Sequence, residues 1–340
     1  MGNFRKFNSI INTTQQEYLD KVLVEGHGAE IFVVLEKYHG ANFGVVITPD
    51  TIEYQKRTTT LKENEEFYSF QGVVNPLKDK LRESFSSLRS KFPSLTKAIF
   101  YGELLGGIYS GVESPKKDGD YVFMDVQYHP DQKLVLFDTY YYTDIREAYL
   151  DHNTVMEITS RHELDHAEIL FSGTFEECLE FSRNHNADLS VAHKKWGLPE
   201  VPENIREGNV IKPLKDLRFK NGSRIIFKDK NEKFRESKLT VKSITKFSDE
   251  ASGSKELIKA FVTENRLKNV LSKGPRFTGK EFGKLMGLFM KDLVADFRDH
   301  HGELFDSLSK KERKSVTNYG TELTKRLIMT HFAKIIEGTY

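Results

Sequence analysis

Ile31-Phe-Val-Val-Leu-Glu-Lys37-Tyr-His-Gly40-Ala-Asn-Phe-Gly-Val-Val-Ile47 is the stretch that decides how this chain folds. One apolar run, residues 31–35, delivers a lysine into a turn closed by Gly40, and a second, residues 43–48, leaves it. Short runs rich in Val, Ile and Phe read as buried strands. A lysine at the end of a buried strand is rigid and poorly solvated. Those conditions make an amine a nucleophile instead of a surface charge. The pattern Lys-x-x-Gly alone is weak, because it recurs at Lys116, Lys194, Lys280 and Lys284. The paired apolar runs set Lys37 apart.

Outward from this stretch, residues 51–55 read as a third strand after the turn Thr48-Pro-Asp50. Thr14-Gln-Gln-Glu17 has the form of a capping box opening a helix through Val24. Residues 77–92 have helical spacing, and residues 98–101, 121–126 and 133–137 read as strands. Residues 144–193 are polar and read as mainly helical. Strand signals return at residues 209–211 and 224–227. From Glu256 onward the pattern is wholly helical, over 256–271, 279–297 and 308–336. Residues 238–254, rich in Ser, Lys and Thr, form a linker. The expected architecture is an α+β body over residues 1–245 and an all-helical module over 246–340, with no internal repeat.

Composition narrows the function classes. A chain of 340 residues has room for one large domain and a smaller one, and 38% hydrophobic with 30% charged residues is an ordinary globular mix. No apolar run approaches the roughly 20 residues that cross a bilayer. The start, Met1-Gly-Asn-Phe-Arg-Lys6, lacks the hydroxyl residue a myristoylation signal needs at position 6, and no signal-peptide core follows. A single cysteine, Cys178, excludes an intrachain disulfide framework and fits a reducing cytoplasm. The net charge of +1 does not advertise a nucleic-acid partner, although 51 basic residues can still form a local patch.

Two motifs compete with Lys37. His162-Glu163-Leu-Asp-His166 matches a zinc-hydrolase signature, in which two histidines four apart on a helix share a metal and the glutamate is the base. Charge on nearly every face, with no clear third ligand, favours an exposed segment. Gly274-Pro-Arg-Phe-Thr-Gly279-Lys280-Glu281 imitates a phosphate-binding loop. It places Glu281 where a hydroxyl must bind magnesium, and it follows a helix where a strand is required. It reads as a helix-to-helix connection.

Other charged and aromatic residues sit at strand ends. Arg57 follows the third strand, Glu103 ends an apolar run at Tyr101-Gly-Glu103, and Phe137 ends another. Glu207-Gly-Asn-Val-Ile-Lys212-Pro and Phe227-Lys228-Asp-Lys230 bring a carboxylate and three lysines late in the body. Each alone has an ordinary reading as a solvated strand end or a core ring. Their order and shared placement argue for one site.

In that order the residues resemble the covalent nucleotidyltransferases, and within them the RNA ligase 2 family of phage double-stranded-RNA ligases and RNA-editing ligases. The likeness spans nearly the whole chain. Phe4-Arg-Lys-Phe-Asn-Ser-Ile10 resembles the family's N-terminus and argues against an added targeting peptide. Glu36-Lys-Tyr-His-Gly-Ala-Asn-Phe43 resembles its nucleophile motif. Val262-Thr-x-Asn-Arg266-x-x-Asn-Val-x-Ser-Lys273 and Phe282-Gly-Lys-x-Met-Gly287 resemble its helical module, which stands where DNA ligases and capping enzymes carry an OB-fold. Val126-Gln-Tyr-His-Pro130 resembles the editing-ligase branch, while residues 108–120 form a longer loop than in the phage relatives.

The resemblance implies an ATP-grasp-like body of antiparallel sheets and an ATP-dependent RNA ligase using magnesium or manganese. It would join a 3′-hydroxyl to a 5′-phosphate through AMP on Lys37. An ordinary lysine is neutral in only about one molecule in 2,500 at pH 7, a handicap of roughly 4.6 kcal/mol, so cationic neighbours such as Lys228 and Lys230 matter. By family position His39 belongs to the nucleotide site, and the Glu36 backbone carbonyl selects adenine. Arg57 and Glu103 take the ribose and phosphate edge, and Phe137 stacks on the base. Glu207 is directed at the metal, while Lys212 and Asn42 organise phosphate and metal water. Arg266, Asp292 and Asp296 belong to the module that engages RNA, Arg266 facing phosphate and the two acids fixing geometry. The expected partner is nicked duplex RNA, bound by a monomer in the cytoplasm, or in the host cytoplasm if the source is viral. Intact Lys37, Glu103, Glu207, Lys228 and Lys230 argue against a non-catalytic RNA-binding protein. Asn42 and the helical C-terminus argue against a DNA ligase or capping enzyme.

Overall fold

The computed structural model describes residues 4–62, 64–112, 125–234, 250–273, 277–338 and 340. The chain divides into two compact units, Met1–Asn231 and Glu232–Tyr340. Most of the expected strand at 121–126, of the loop at 108–120 and of the linker lies outside the described residues.

The first unit begins with β1 (Ile11–Asn12), α1 (Gln16–Val24), β2 (Phe32–Glu36), β3 (Ala41–Ile47), β4 (Ile52–Lys56) and β5 (Thr59–Leu61). It continues through α2 (Phe70–Val74), α3 (Lys78–Lys91), β6 (Lys97–Gly106), β7 (Gln132–Tyr142) and β8 (Glu147–Tyr149). It ends with α4 (His152–Arg161), β9 (Ile169–Gly173), α5 (Phe175–His185), α6 (Ala192–Lys195), β10 (Gly208–Pro213) and β11 (Phe227–Lys230). Two sheets result, in the orders β1-β11-β10-β2-β9 and β5-β4-β3-β6-β7-β8. The described pairings are antiparallel except β1 with β11.

Strand alternation sorts the side chains into layers. In the first sheet Phe32, Val34, Ile211 and Phe227 pack on Leu19 and Val22 of α1 and on Phe175 and Cys178 of α5. In the second, Phe43, Val45, Ile47 and Phe100 pack on Leu81, Phe85 and Leu88 of α3 and Val155 and Ile158 of α4. The remaining faces meet over Val46, Ile99, Tyr101, Tyr140 and Ile226. Whatever follows the opposite parity in each strand therefore faces the cleft between the sheets.

Several expectations need correcting. α1 has no side-chain cap, because it starts at Gln16 and the N-cap position falls on Gln15, one residue after Thr14. Residues 144–193 contain β8 and β9 as well as helices, so "mainly helical" fails there. The late strand expected at 224–227 lies instead at Phe227–Lys230.

The second unit comprises α7 (Glu250–Ala260), α8 (Glu264–Lys273), α9 (Phe282–Ser307) and α10 (Lys310–Glu337). Its core gathers Ile258, Phe261, Leu267, Leu285, Phe289, Leu293, Phe297, Val316 and Ile328. The helix expected over 256–271 is broken in two, because Thr263 Oγ1 accepts the Arg266 amide at 3.2 Å and so starts a new helix. Among the described residues no helix is long and apolar enough to cross a membrane.

Candidate active site

β2 ends at Glu36, and the Lys37 amide still donates to the Gly208 carbonyl of β10, at 2.9 Å. Two glycines permit this corner. A Cβ at Gly40 would stand 2.1 Å from the Leu104 carbonyl oxygen of β6. Gly208 has φ +146, and a Cβ there would stand 2.1 Å from the Asp229 carbonyl oxygen. With the backbone so confined, Lys37 takes the parity of Val33 and Leu35 and faces the cleft.

There Lys37 Nζ lies 2.7 Å from Glu207 Oε2, Lys230 Nζ lies 3.1 Å from Oε1, and His39 Nδ1 lies 3.4 Å from Oε2. Burial opposes a charge on Glu207, yet Lys37, Lys230 and His39 together hold its carboxyl well below the usual range. Burial also works against a charge on His39. Asp125, 3.7 Å from Nε2, and Glu207 outweigh it and raise the imidazole. The His39 amide is held by the Tyr128 hydroxyl at 2.8 Å. Neither Asp125 nor Tyr128 was singled out by sequence, since nothing local marks them as partners of residues some 85 positions earlier.

The second sheet adds Asn42 and Glu103, paired directly opposite one another on β3 and β6. Burial pushes the Glu103 carboxyl up to about 7, against Lys37 and with Glu207 adding to the rise, while His39 and Arg57 oppose it. Arg57 sits half-buried in the turn after β4. Lys228 shares the cleft parity of Lys230 on β11. Lys37, His39, Arg57 and Glu207 all act electrostatically on Glu103, so residues of both sheets meet here.

Phe137 owes its place to a bulge. Tyr101 pairs with Asp138 but Gly102 pairs with Leu136, so Phe137 is an extra residue in β7. The bulge turns both Phe137 and Asp138 to the cleft, where strict alternation would allow only one. Lys212 does not take the expected phosphate role: its side chain is 2% exposed, its Nζ lies 3.2 Å from Asp138 Oδ1, and it donates to the Phe137 carbonyl at 3.2 Å. Arg224 completes the anchor, 2.6 Å from Asp138 Oδ2 and 3.3 Å from Asp216. Burial pulls Lys212 down to about 8, with Asp138 opposing and Arg224 assisting. The Glu36 side chain is turned away from the cleft and accepts the Val191 amide at 3.1 Å. A cavity of about 430 Å³ lies on the α1–α5 side of the first sheet and holds none of these charges.

The zinc reading fails on geometry. α4 ends at Arg161, Glu163 has φ +50, and the two histidines share no helical face. His162 Nε2 is 2.8 Å from the Ser87 hydroxyl, and His166 Nδ1 is 3.4 Å from the Leu164 carbonyl. Among the described residues no group of three or more His, Cys, Asp or Glu could hold a metal. In the second unit Arg266 is fully buried, gripped by Asp292 and Asp296 and donating to the Phe261 carbonyl at 2.9 Å. A guanidinium so enclosed has no phosphate to face, which corrects that expectation. The signal for it was the pair of acids four residues apart on α9.

A sequence profile of RNA ligases matches residues 30–230, the region holding every cleft residue above. This chain belongs to the RNA ligase family. A profile of the T4 RNA ligase 2 C-terminal domain matches residues 245–325. The ligase is similar to mitochondrial RNA-editing ligase 1 of Trypanosoma brucei brucei, with 23% identity over 388 residues, covering 96% of this chain and 82% of the relative. Editing ligase 2 of the same organism is 23% identical over 391 residues, covering 98% and 92%. Among solved structures, a Naegleria gruberi RNA ligase mutant with ATP and Mn has a TM-score of 0.46 at 16% identity, and the same ligase with PPi has 0.43 at 17%. Each covers 69% of this chain, which spans 58% of theirs. By its family the chain is an RNA-joining enzyme.

Proposed function

We propose that this ligase seals 3′-hydroxyl/5′-phosphate nicks in duplex RNA, as a monomer, by way of AMP carried on Lys37. The observation that carries the reading is the Lys37–Glu207–Lys230 cluster facing the cleft, with Lys37 Nζ 2.7 Å and Lys230 Nζ 3.1 Å from one carboxylate. Lys37 is still 18% exposed in its side chain, against 4% for Glu207, so the amine has room to leave its partner.

In the first step Lys37 Nζ gives up Glu207 and a proton and attacks the α-phosphorus of ATP. An N–P bond forms while the bond to the bridging oxygen breaks, and pyrophosphate leaves with the electron pair. An oxygen of the RNA 5′-phosphate then attacks the same phosphorus and breaks the N–P bond, and the amine regains a proton. The 3′-hydroxyl oxygen finally attacks the 5′-phosphorus, losing its proton and expelling AMP. Lys228, Lys230 and Arg57 offset charge as it builds on the phosphate oxygens. Phe137 offers its ring to adenine, Glu103 accepts from a ribose hydroxyl, and His39 and Asn42 line the phosphate path.

A hydrated magnesium or manganese ion would suit Glu207, a carboxylate kept charged, once Lys37 has left its Oε2, because such ions take one or two carboxylates and fill the rest with water and phosphate oxygens. When bound there it would neutralise phosphate charge. In the second unit, exposed Lys310, Lys311 and Lys314 at the start of α10 are the candidate phosphate contacts. Duplex RNA would be read by shape and 2′-hydroxyls, with little sequence preference. Cys178, buried with its thiol pushed up to about 11, suits a reducing compartment such as the cytoplasm.

Nicked duplexes that differ only in the sugar of the 3′-hydroxyl strand test the substrate. Sealing should require RNA on that side; equal sealing of an all-DNA nick would overturn the assignment.

A further inference from the structure

The half-buried ring of Phe137 is touched at close range by a residue from the other end of the unit. Phe7 lies with its ring centroid 5.1 Å from that of Phe137, the planes inclined at 72°. Phe7 is itself only 2% exposed and also packs on Tyr101 at 5.0 Å and on Tyr149 at 5.8 Å. It is held on both sides along the chain. The Arg5 carbonyl accepts from Gln55 Nε2 at 2.6 Å and from the Tyr101 hydroxyl at 2.8 Å, and the Arg5 amide donates to Gln55 Oε1 at 3.3 Å. The Arg5 guanidinium sits 3.7 Å over the Tyr140 ring, and the Tyr149 hydroxyl donates to Asn8 Oδ1 at 2.8 Å. Beyond them the Ile11 amide donates to the Ile226 carbonyl at 3.0 Å, where β1 joins β11. Residues 5–8 are thus fastened to the second sheet and residues 11–12 to the first, with Phe7 between them at the edge of the Phe137 ring.

We propose that Phe7 is a positioning residue of the nucleotide site, and that this N-terminal strap is a working part of the ATP pocket. The bulge and the Lys212 contact fix the Phe137 backbone; Phe7 fixes its ring. An edge-to-face pair contributes beyond simple burial, and without it the Phe137 ring can turn into the vacated space. The proposal rests on Phe137 being the face on which adenine stacks, and the test separates the two claims.

The experiment is a double-mutant cycle read by lysyl-AMP formation on the full chain, with ATP concentration varied. Phe7→Ala should raise the ATP KM roughly 3- to 10-fold with little change in the maximal rate. Phe7→Leu, which refills most of the core, should keep the wild-type melting temperature and still raise KM. Placed in a Phe137→Ala background, either Phe7 change should add nothing further. If the Phe7 effects multiply in full with that of Phe137→Ala, or if Phe7→Leu leaves KM at the wild-type value, the positioning role is wrong and stacking survives. If Phe137→Ala itself leaves KM unchanged, the stacking reading falls and takes the proposal with it.

Discussion

Lys37 and Arg266 are both ion-paired cations that sequence singled out, and they have different work. Lys37 faces Glu207 from a side chain still 18% exposed, in a cleft with further cations beside it. Arg266 is 0% exposed and enclosed by Asp292 and Asp296 on α9. The chemistry of the two pairs is alike, but their access is not. A cation that can leave its carboxylate toward an open cleft can react or bind; one walled in by its acids can only hold helices together. Lys212, at 2% exposed and tied to Asp138, belongs with Arg266 in this respect although it lies on a cleft strand.

The strongest way to break this contrast is Lys37→Arg. It preserves the charge opposite Glu207 but removes the nucleophile, so lysyl-AMP should fall by about 10⁴-fold or more with melting unchanged. A stable variant that still forms the adduct would erase the distinction. Arg266→Ala should do the reverse. Leaving two acids around an empty site should cost the second unit about 3–5 kcal/mol in denaturant unfolding, while lysyl-AMP forms within about twofold of wild type. Glu207→Gln tests the open pair from its other side. Loss of the charge shared by Lys37, Lys230 and His39 should slow adduct formation about 100-fold in a rapid-quench assay.

The smallest effect concerns a buried group with no charge. His152 is 1% exposed, and burial, with Lys212 adding to it, pulls its imidazole down to about 3. Its folded value lies below the unfolded value near 6.5, so the unfolded chain binds the extra proton and stability falls as pH drops below about 6.5. By pH 5 this one group should account for about 2 kcal/mol. Unfolding curves of wild type and His152→Leu should diverge in slope between pH 7 and 5; parallel curves would show that His152 titrates normally.

The nucleophile strand was legible because its apolar run leads straight to Lys37. Alternation counted separately in each strand puts Lys37 with Val33 and Leu35, Asn42 with Val46, Glu103 with Tyr101 and Lys230 with Lys228, although β2 and β3 lie in different sheets. The bulge at Phe137 was not legible, since Leu-Phe-Asp has no signature of an extra residue. With it went the roles of Asp138, Lys212 and Arg224, which exist only through tertiary pairing. β8 and β9 escaped because they are short and carry no clear alternation. Thr14 was misread as a cap because the helix begins one residue later than the box implies, with Gln15 at the N-cap position. Arg266 reads as a surface base until Asp292 and Asp296 are seen to converge on it.

The central claim is tested most directly by incubating the full chain with ATP and magnesium and locating AMP on its peptides by mass. The account predicts one adduct, on Lys37 Nζ, lost in acid and stable in base. An adduct on any other residue, or ligation of RNA with none formed on Lys37, would contradict it.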